Sequence, residues 1–199
     1  MIKHLVVLTA LAFSSIAAAN AASINGFVSA NGTDSFTGST ITFGPASVQG
    51  TIGGDFSTYL TDGTAVNFLT GTLPYTQGGP ITAPPNTNIL TISGGGETFT
   101  FTMGSYFASY GTLDGCVAGG TCLNFTGIGT FTGTGAMDFD PTPATFNFTS
   151  QYAAGSSSPD ITTFSVSAST SPVPEPASLA LFGTGLLGVV GLARRKFNV

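Results

Sequence analysis

The sequence predicts an all-β fold, a single antiparallel β-sandwich or jelly-roll-like domain. Three observations lead to this prediction. Several stretches alternate apolar and polar residues with a period of two, glycine and proline clusters separate these stretches, and no part of the body repeats apolar residues with a period of 3.6. Such alternation is typical of strands that bury one face, and abundant Gly and Thr disfavour helices.

The first 21 residues have the features of a secretory signal peptide. Lys3 gives a positive start, and the apolar run that follows is shorter than the ~20 residues that span a bilayer. Ala19 and Ala21 supply the small residues that a signal peptidase reads, so cleavage is expected after Ala21. The remaining chain is therefore expected to leave the cytoplasm.

Residues 22–167 form the predicted extracellular all-β domain, about 150 residues long and large enough for one substantial core. In "ETFTFTM", Phe99, Phe101 and Met103 fall on one face and the intervening threonines on the other. "TFNFT" and "TFSVSAS" alternate in the same way. These segments are expected to turn their apolar residues into the core.

The charge of this body excludes one class of partner. It contains no Lys, Arg or His between Ala22 and Val173, whereas every acidic residue of the chain except Glu175 lies there. Nucleic acid binding depends on cations that displace counterions from phosphate, so we expect no nucleic acid partner.

The two cysteines, Cys116 and Cys122, frame "CVAGGTC" and have no competitor for pairing. Outside the cytoplasm they are expected to form a disulfide, with a stabilisation of ~2 kcal/mol because the closed loop is short. A metal site would need further ligands, and the body has no His and no other Cys to supply them.

Catalysis in this body would have to use carboxylates and hydroxyls, because there is no histidine or lysine to act as a base. The nearest carboxylate pair is Asp138 and Asp140, expected about 7 Å apart on one strand face. Glycoside hydrolases place their two carboxylates across a cleft, which neighbours on one face do not form. The same two aspartates are the candidates for a calcium site. No enzyme activity and no cofactor are expected.

Tyr106 and Tyr110 are an even number of residues apart in "SYFASYG", so on one strand they would share a face. Such a pair can contact a glycan through its rings. Packing of a half-buried strand explains the same pattern.

The C-terminal segment divides into three parts. Residues 168–176 form a linker that contains Pro174, Glu175 and Pro176, and residues 177–193 carry no charge and predict a transmembrane helix. Residues 194–199 form a basic tail with Arg194, Arg195 and Lys196, expected to stay on the cytoplasmic side. The run Gly183–Gly188 matches G-x-G-x-x-G, but no strand–helix–strand unit and no later acidic residue accompany it.

Pro-Glu-Pro, a short uncharged run and an Arg-rich end, in this order, resemble the PEP-CTERM sorting signal. The resemblance covers about residues 172–199, with Pro174, Glu175 and Pro176 as the recognition motif. It implies an exosortase, a membrane-bound transpeptidase-like enzyme of Gram-negative bacteria that make exopolysaccharide, as a partner. It also implies that the body is held at the inner membrane by its tail before processing and then reaches the cell surface or the extracellular space.

We therefore expect an exported surface or matrix protein with a structural or adhesive role, associated with exopolysaccharide or biofilm. Threonine- and serine-rich strand faces could bind polysaccharide through hydrogen bonds without a defined pocket. The alternatives are a carbohydrate-binding module that uses Tyr106 and Tyr110, and a carboxylate-based glycoside hydrolase.

Overall fold

A computed structural model describes residues 22–76, 81–152, 162–170 and 185, and for 81–86 and 162–168 it describes the backbone only. The chain order of the elements is β1 (Ala22–Ser23), β2 (Gly26–Phe36), β3 (Thr40–Gly54), α1 (Asp55–Tyr59), β4 (Ala65–Phe68), β5 (Thr72–Pro74), β6 (Ile81–Gly94), β7 (Glu97–Gly111), β8 (Thr121–Gly135), β9 (Phe139–Tyr152) and β10 (Thr162–Thr170). The all-β prediction is thus confirmed, and the last strand extends into the first residues of the predicted linker.

The strands close into a ring, so the predicted sandwich or jelly roll is wrong. Strands β9, β10, β2, β3, β4, β6, β7 and β8 are hydrogen-bonded in that order, and β8 also pairs with β9. This closing pair is long: its register runs from Thr121 opposite Tyr152 to Gly133 opposite Phe139. A sandwich has two separate sheets, whereas here one continuous antiparallel ladder forms an eight-stranded barrel.

In the part of the chain that the structure describes, no helix has the length and apolar character needed to cross a membrane. The transmembrane helix predicted over 177–193 lies outside that part, apart from Gly185.

Aromatic side chains fill the interior of the barrel. Phe101 is completely buried, and its ring lies 5.1 Å from that of Phe131 and 5.6 Å from that of Phe146. A gap among Val28, Val66 and neighbouring core residues measures about 10 Å³, roughly the space of one water molecule. The interior is therefore a packed core and holds no ligand cavity at this position.

Glycines on β8 make room for these rings. The inward positions of this strand are occupied by large residues and by glycines, as in Phe125-Thr126-Gly127 and Phe131-Thr132-Gly133. A Cβ added at Gly133 would lie 2.6 Å from Cδ2 of Phe139. The sequence Phe-Thr-Gly, which occurs twice on this strand, thus places an aromatic ring inside, a hydroxyl outside and no side chain at the next inward position.

The short helix α1 closes one end of the barrel, which we name the helix end. Phe56 is fully buried, with its ring 4.7 Å from Phe99 and 5.2 Å from Phe131. Both ends of the barrel chain lie here: Ala22 pairs with Phe139 at the start of β9, and Thr170 hydrogen-bonds to Gly26 at the start of β2. Thr170, which precedes the sorting segment in the chain, therefore lies at the helix end.

The opposite end, which we name the tyrosine end, is held by tyrosine hydroxyls. Tyr106 donates to the carbonyl oxygen of Pro74 at 2.7 Å, and Tyr75 donates to that of Thr37. Burial raises the pKa of Tyr75 and of Tyr106, because the phenolate is disfavoured away from water. These bonds fix β5 and the β2–β3 turn against the barrel.

Candidate functional site on the outer face of β6, β7 and β8

A regular array of hydrogen-bonding side chains covers the outer face of three neighbouring strands. β6, β7 and β8 each contribute three such residues, and the strand register aligns them in three rows. The rows are Ser93–Thr98–Thr134, Thr91–Thr100–Thr132 and Asn88–Thr102–Thr130. We name these nine residues the threonine array.

The array follows directly from sheet geometry. Neighbours within a row sit on adjacent strands about 4.8 Å apart, and successive rows are about 7 Å apart because alternate residues share a face. Two contacts fix side chains within rows: the hydroxyls of Ser93 and Thr98 are 2.9 Å apart, and Thr102 donates to Oδ1 of Asn88 at 2.8 Å. None of the nine is buried and none is charged.

An apolar patch lies beyond the array, toward the tyrosine end. Phe107 is 53% exposed and Ile128 is 56% exposed, both on the outer face. Ile128 pairs with Ser105, two residues before Phe107, so the two side chains are diagonal neighbours. We name Phe107 and Ile128 the Phe107 platform.

The two tyrosines predicted to share a strand face do share one, but this face is turned inward. Tyr106 is 2% exposed, and its ring stacks on Phe125 with centroids 4.6 Å apart. The hydroxyl of Tyr110 is 3.3 Å from that of Tyr152, and this hydrogen bond, together with burial, raises the pKa of Tyr110. Glycan contact by this pair stays a prediction, while the exposed ring on this segment is that of Phe107.

A β-bulge explains the orientation. Phe99, Phe101 and Met103 point inward, so simple alternation would turn the even-numbered Tyr106 and Tyr110 outward. The β7–β8 register shifts between Met103 and Ser105, which inverts the phase of the rest of the strand. The extra residue thus buries the tyrosines and exposes Phe107.

The predicted disulfide is present: Cys116 in the β7–β8 connection is bonded to Cys122 near the start of β8, at the tyrosine end. Asp138 and Asp140 are both exposed near the start of β9. Among the described residues there is no group of three or more His, Cys, Asp or Glu side chains that could hold a metal ion. Calcium binding by this pair stays a prediction.

β9 continues through Pro141, its third residue. The β8–β9 register shifts between Phe131 and Gly133, so Asp140 and Pro141 lie at an irregularity in the ladder. At such a position the ladder does not need a backbone N–H, so proline, which has none, is tolerated.

The remaining predicted site residues lie outside the described part of the chain. They are Ala19 and Ala21 of the cleavage site, Pro174, Glu175 and Pro176 of the sorting motif, and the basic residues Arg194, Arg195 and Lys196.

Residues 172–196 match the family described as the PEP-CTERM protein-sorting motif. The chain carries a PEP-CTERM sorting signal. This signal marks an exported protein that exosortase sorts. Comparison with curated proteins gives no match, and comparison with solved structures gives none either.

Sequence reasoning anticipated hydroxyl-rich strand faces but missed two specific features, the threonine array and the Phe107 platform. The three-residue rows depend on the register between strands, which a single strand does not reveal. Phe107 lies within the quoted "SYFASYG", and Gly104 directly precedes this stretch. Because glycine inside a strand often marks a bulge, Gly104 was the signal that could have indicated the outward orientation of Phe107.

Proposed function

We propose that this protein is a structural or adhesive component of the extracellular matrix, and that the threonine array is its contact with exopolysaccharide. The observation that carries the proposal is the alignment of nine uncharged hydrogen-bonding side chains on one rigid sheet face. The sorting signal supports it, because the signal delivers the barrel to the outside of the cell.

Hydroxyl and amide groups at regular spacing suit a partner that also presents hydroxyls at regular spacing. Each hydrogen bond adds only about 0.5–1.5 kcal/mol net, so one contact would be weak. A polymer that meets several rows, and several copies of the protein, gains avidity without a deep pocket. The threonine methyl groups add apolar contact for the C–H groups of sugar rings.

The proposal includes no catalytic step. Asp138 and Asp140 are exposed at one strand end, and the array contains no carboxylate. We expect the chain length of a polysaccharide to be unchanged after incubation with the purified protein.

Valine substitution of one central pair tests the array, because valine keeps the shape of threonine and removes its hydroxyl. A deletion strain would be complemented with the wild type or with Thr100→Val/Thr132→Val, a pair that lies side by side in the central row. Retention of exopolysaccharide on the cells and its co-sedimentation with the purified protein would be measured. We expect both to fall for the variant.

The matched control is Thr42→Val/Thr72→Val. These two threonines also form a cross-strand pair, with hydroxyls 3.1 Å apart, but on β3 and β5 outside the array. The control should retain polysaccharide as the wild type does. Normal retention in the deletion strain itself, or equal loss in both variants, would contradict the proposal.

A further inference from the structure

The Phe107 platform combines an exposed aromatic ring with hydrogen-bonding neighbours. Phe107 pairs with Thr126 across β7 and β8, and Thr126 pairs with Asn147 on β9. All three side chains are exposed on the same outer face. A flat apolar surface bordered by a hydroxyl and an amide is therefore available next to Ile128.

A groove of about 460 Å³ continues from Ile128 across the outer face toward β10. Three small residues, Gly104, Gly129 and Ala144, line it, which explains why the surface is indented here. Its hydroxyl groups come from Ser105, Thr130, Thr145 and Ser169. The hydroxyls of Thr145 and Ser169 are 3.0 Å apart, and Thr130 also belongs to the threonine array.

The charge of the groove and of the Phe107 platform limits which ligands can bind there. Every residue that lines the groove is uncharged, and so are Phe107, Thr126 and Asn147. The barrel sequence offers no Lys, Arg or His to pair with an anionic chain, and its exposed aspartates repel one. The surface therefore disfavours an anionic chain and suits a neutral one with apolar faces and hydroxyl edges.

The size of the apolar patch argues against a second copy of the protein as the occupant. At about half exposure each, Phe107 and Ile128 present together roughly 200 Å² of apolar area. A stable protein interface takes about 800 Å² from each partner. An area of this size instead matches a sugar ring and its neighbour.

We propose that the Phe107 platform and the adjoining groove form a binding site for a neutral glycan chain. One sugar ring stacks its C–H face on Phe107 beside Ile128, and the chain continues through the groove toward Ser169. This inference rests on the proposed function and gives it a defined subsite and a ligand class, since the array alone does not distinguish neutral from anionic polysaccharide.

Nuclear magnetic resonance titration of the isotope-labelled full-length protein tests the site. The neutral probes are cellohexaose, laminarihexaose and mannohexaose, and the anionic probe is hexagalacturonate. We expect at least one neutral hexaose to shift the amide signals of Phe107, Thr126 and Ile128, and hexagalacturonate to leave them unchanged. Phe107→Ala should weaken the neutral binding about tenfold.

Leu69→Ala is the matched control, because Leu69 is another exposed large apolar residue, 53% exposed, in the β4–β5 connection outside the platform and the groove. It should bind as the wild type does. The proposal is overturned if none of the three neutral hexaoses shifts these signals, if hexagalacturonate binds equally well, or if both variants lose affinity alike. A change of oligomeric state on Phe107→Ala without a change in glycan binding would instead identify a self-association surface.

The two proposals fail in distinguishable ways. If Phe107→Ala binds hexaoses normally while the Thr100→Val/Thr132→Val pair loses matrix polysaccharide, the glycan subsite is wrong and the matrix role stands. If hexaose binding depends on Phe107 but the deletion strain retains its polysaccharide, the site binds glycan and the matrix role is wrong.

Discussion

Alanine substitution at the inward glycines of β8 tests how the barrel interior is packed. At Gly129 an added Cβ would overlap the carbonyl oxygen of Thr102 and lie 2.9 Å from Cζ of Phe101. At Gly133 it would lie 2.6 Å from the ring of Phe139. These neighbours differ in how easily they can move, so the three inward glycines, Gly127, Gly129 and Gly133, should respond differently.

The expected costs follow from those neighbours. The carbonyl of Thr102 belongs to the β7–β8 ladder and cannot move without separating the strands, so Gly129→Ala should lower the free energy of unfolding by more than about 3 kcal/mol. Gly133→Ala displaces a buried ring and should cost about 1–3 kcal/mol. At Gly127 the nearest atom is the flexible terminal methyl of Met103, at 3.0 Å, so the expected cost is about 1 kcal/mol or less.

Equilibrium urea unfolding with the disulfide intact, followed by far-ultraviolet circular dichroism, measures these differences. The control is Gly71→Ala, where an added Cβ meets nothing within 4 Å, so stability should be unchanged or rise by up to about 1 kcal/mol. If Gly129→Ala does not fold, the order of the other three variants still tests the packing. Equal stability of Gly133→Ala and Gly71→Ala would refute the reasoning.

Three further predictions concern the fold and its processing. Burial raises the pKa of Tyr75, so its neutral form stabilises the fold fully below pH about 10, and this contribution is lost as the pH rises through the folded pKa. The midpoint temperature of thermal unfolding should therefore fall above pH about 10. A midpoint temperature that does not change with pH in this range would contradict the burial of Tyr75. Replacing Cys116 and Cys122 together by serine should cost about 2 kcal/mol in urea unfolding, because the disulfide closes a short loop; loss of folding would show a larger role. Mass spectrometry of the protein from its native cells should find Ala22 as the first residue and a C-terminus near Pro174, and an intact Val199 would exclude processing of the tail.

The alternation of residues revealed the strands but could not reveal how they close. "ETFTFTM" correctly placed Phe99, Phe101 and Met103 inside, because period-two burial is a property of one strand. The closure of the ring depends on which strands pair. Neither the sequence of β8 nor that of β9 by itself indicates that these two strands pair and thereby close the ring. A sandwich and a barrel bury the same alternating residues, so the pattern fits both.

The outer surface was harder to predict because one residue changes it. With uninterrupted alternation, Tyr106 would face solvent and Phe107 the core, but the bulge before Ser105 reverses both. Contacts with other strands stabilise the register after the bulge. The ring of Tyr106 stacks on Phe125, and its hydroxyl donates to the carbonyl oxygen of Pro74. Such partners lie on other strands, and the local sequence carries only the hint that Gly104 provides.

Ring closure also bears on how densely such a protein can be displayed without forming fibres. An open sheet leaves a row of unpaired backbone N–H and C=O groups that can template addition of another chain. In the part of the chain that the structure describes, each of the eight ring strands pairs with two neighbours, although the four-residue β4 pairs with only two residues of β3 and three of β6. Ring closure therefore leaves no strand of the ring at an open edge among the described residues, and β4 is the place where the fewest backbone pairs join the ring.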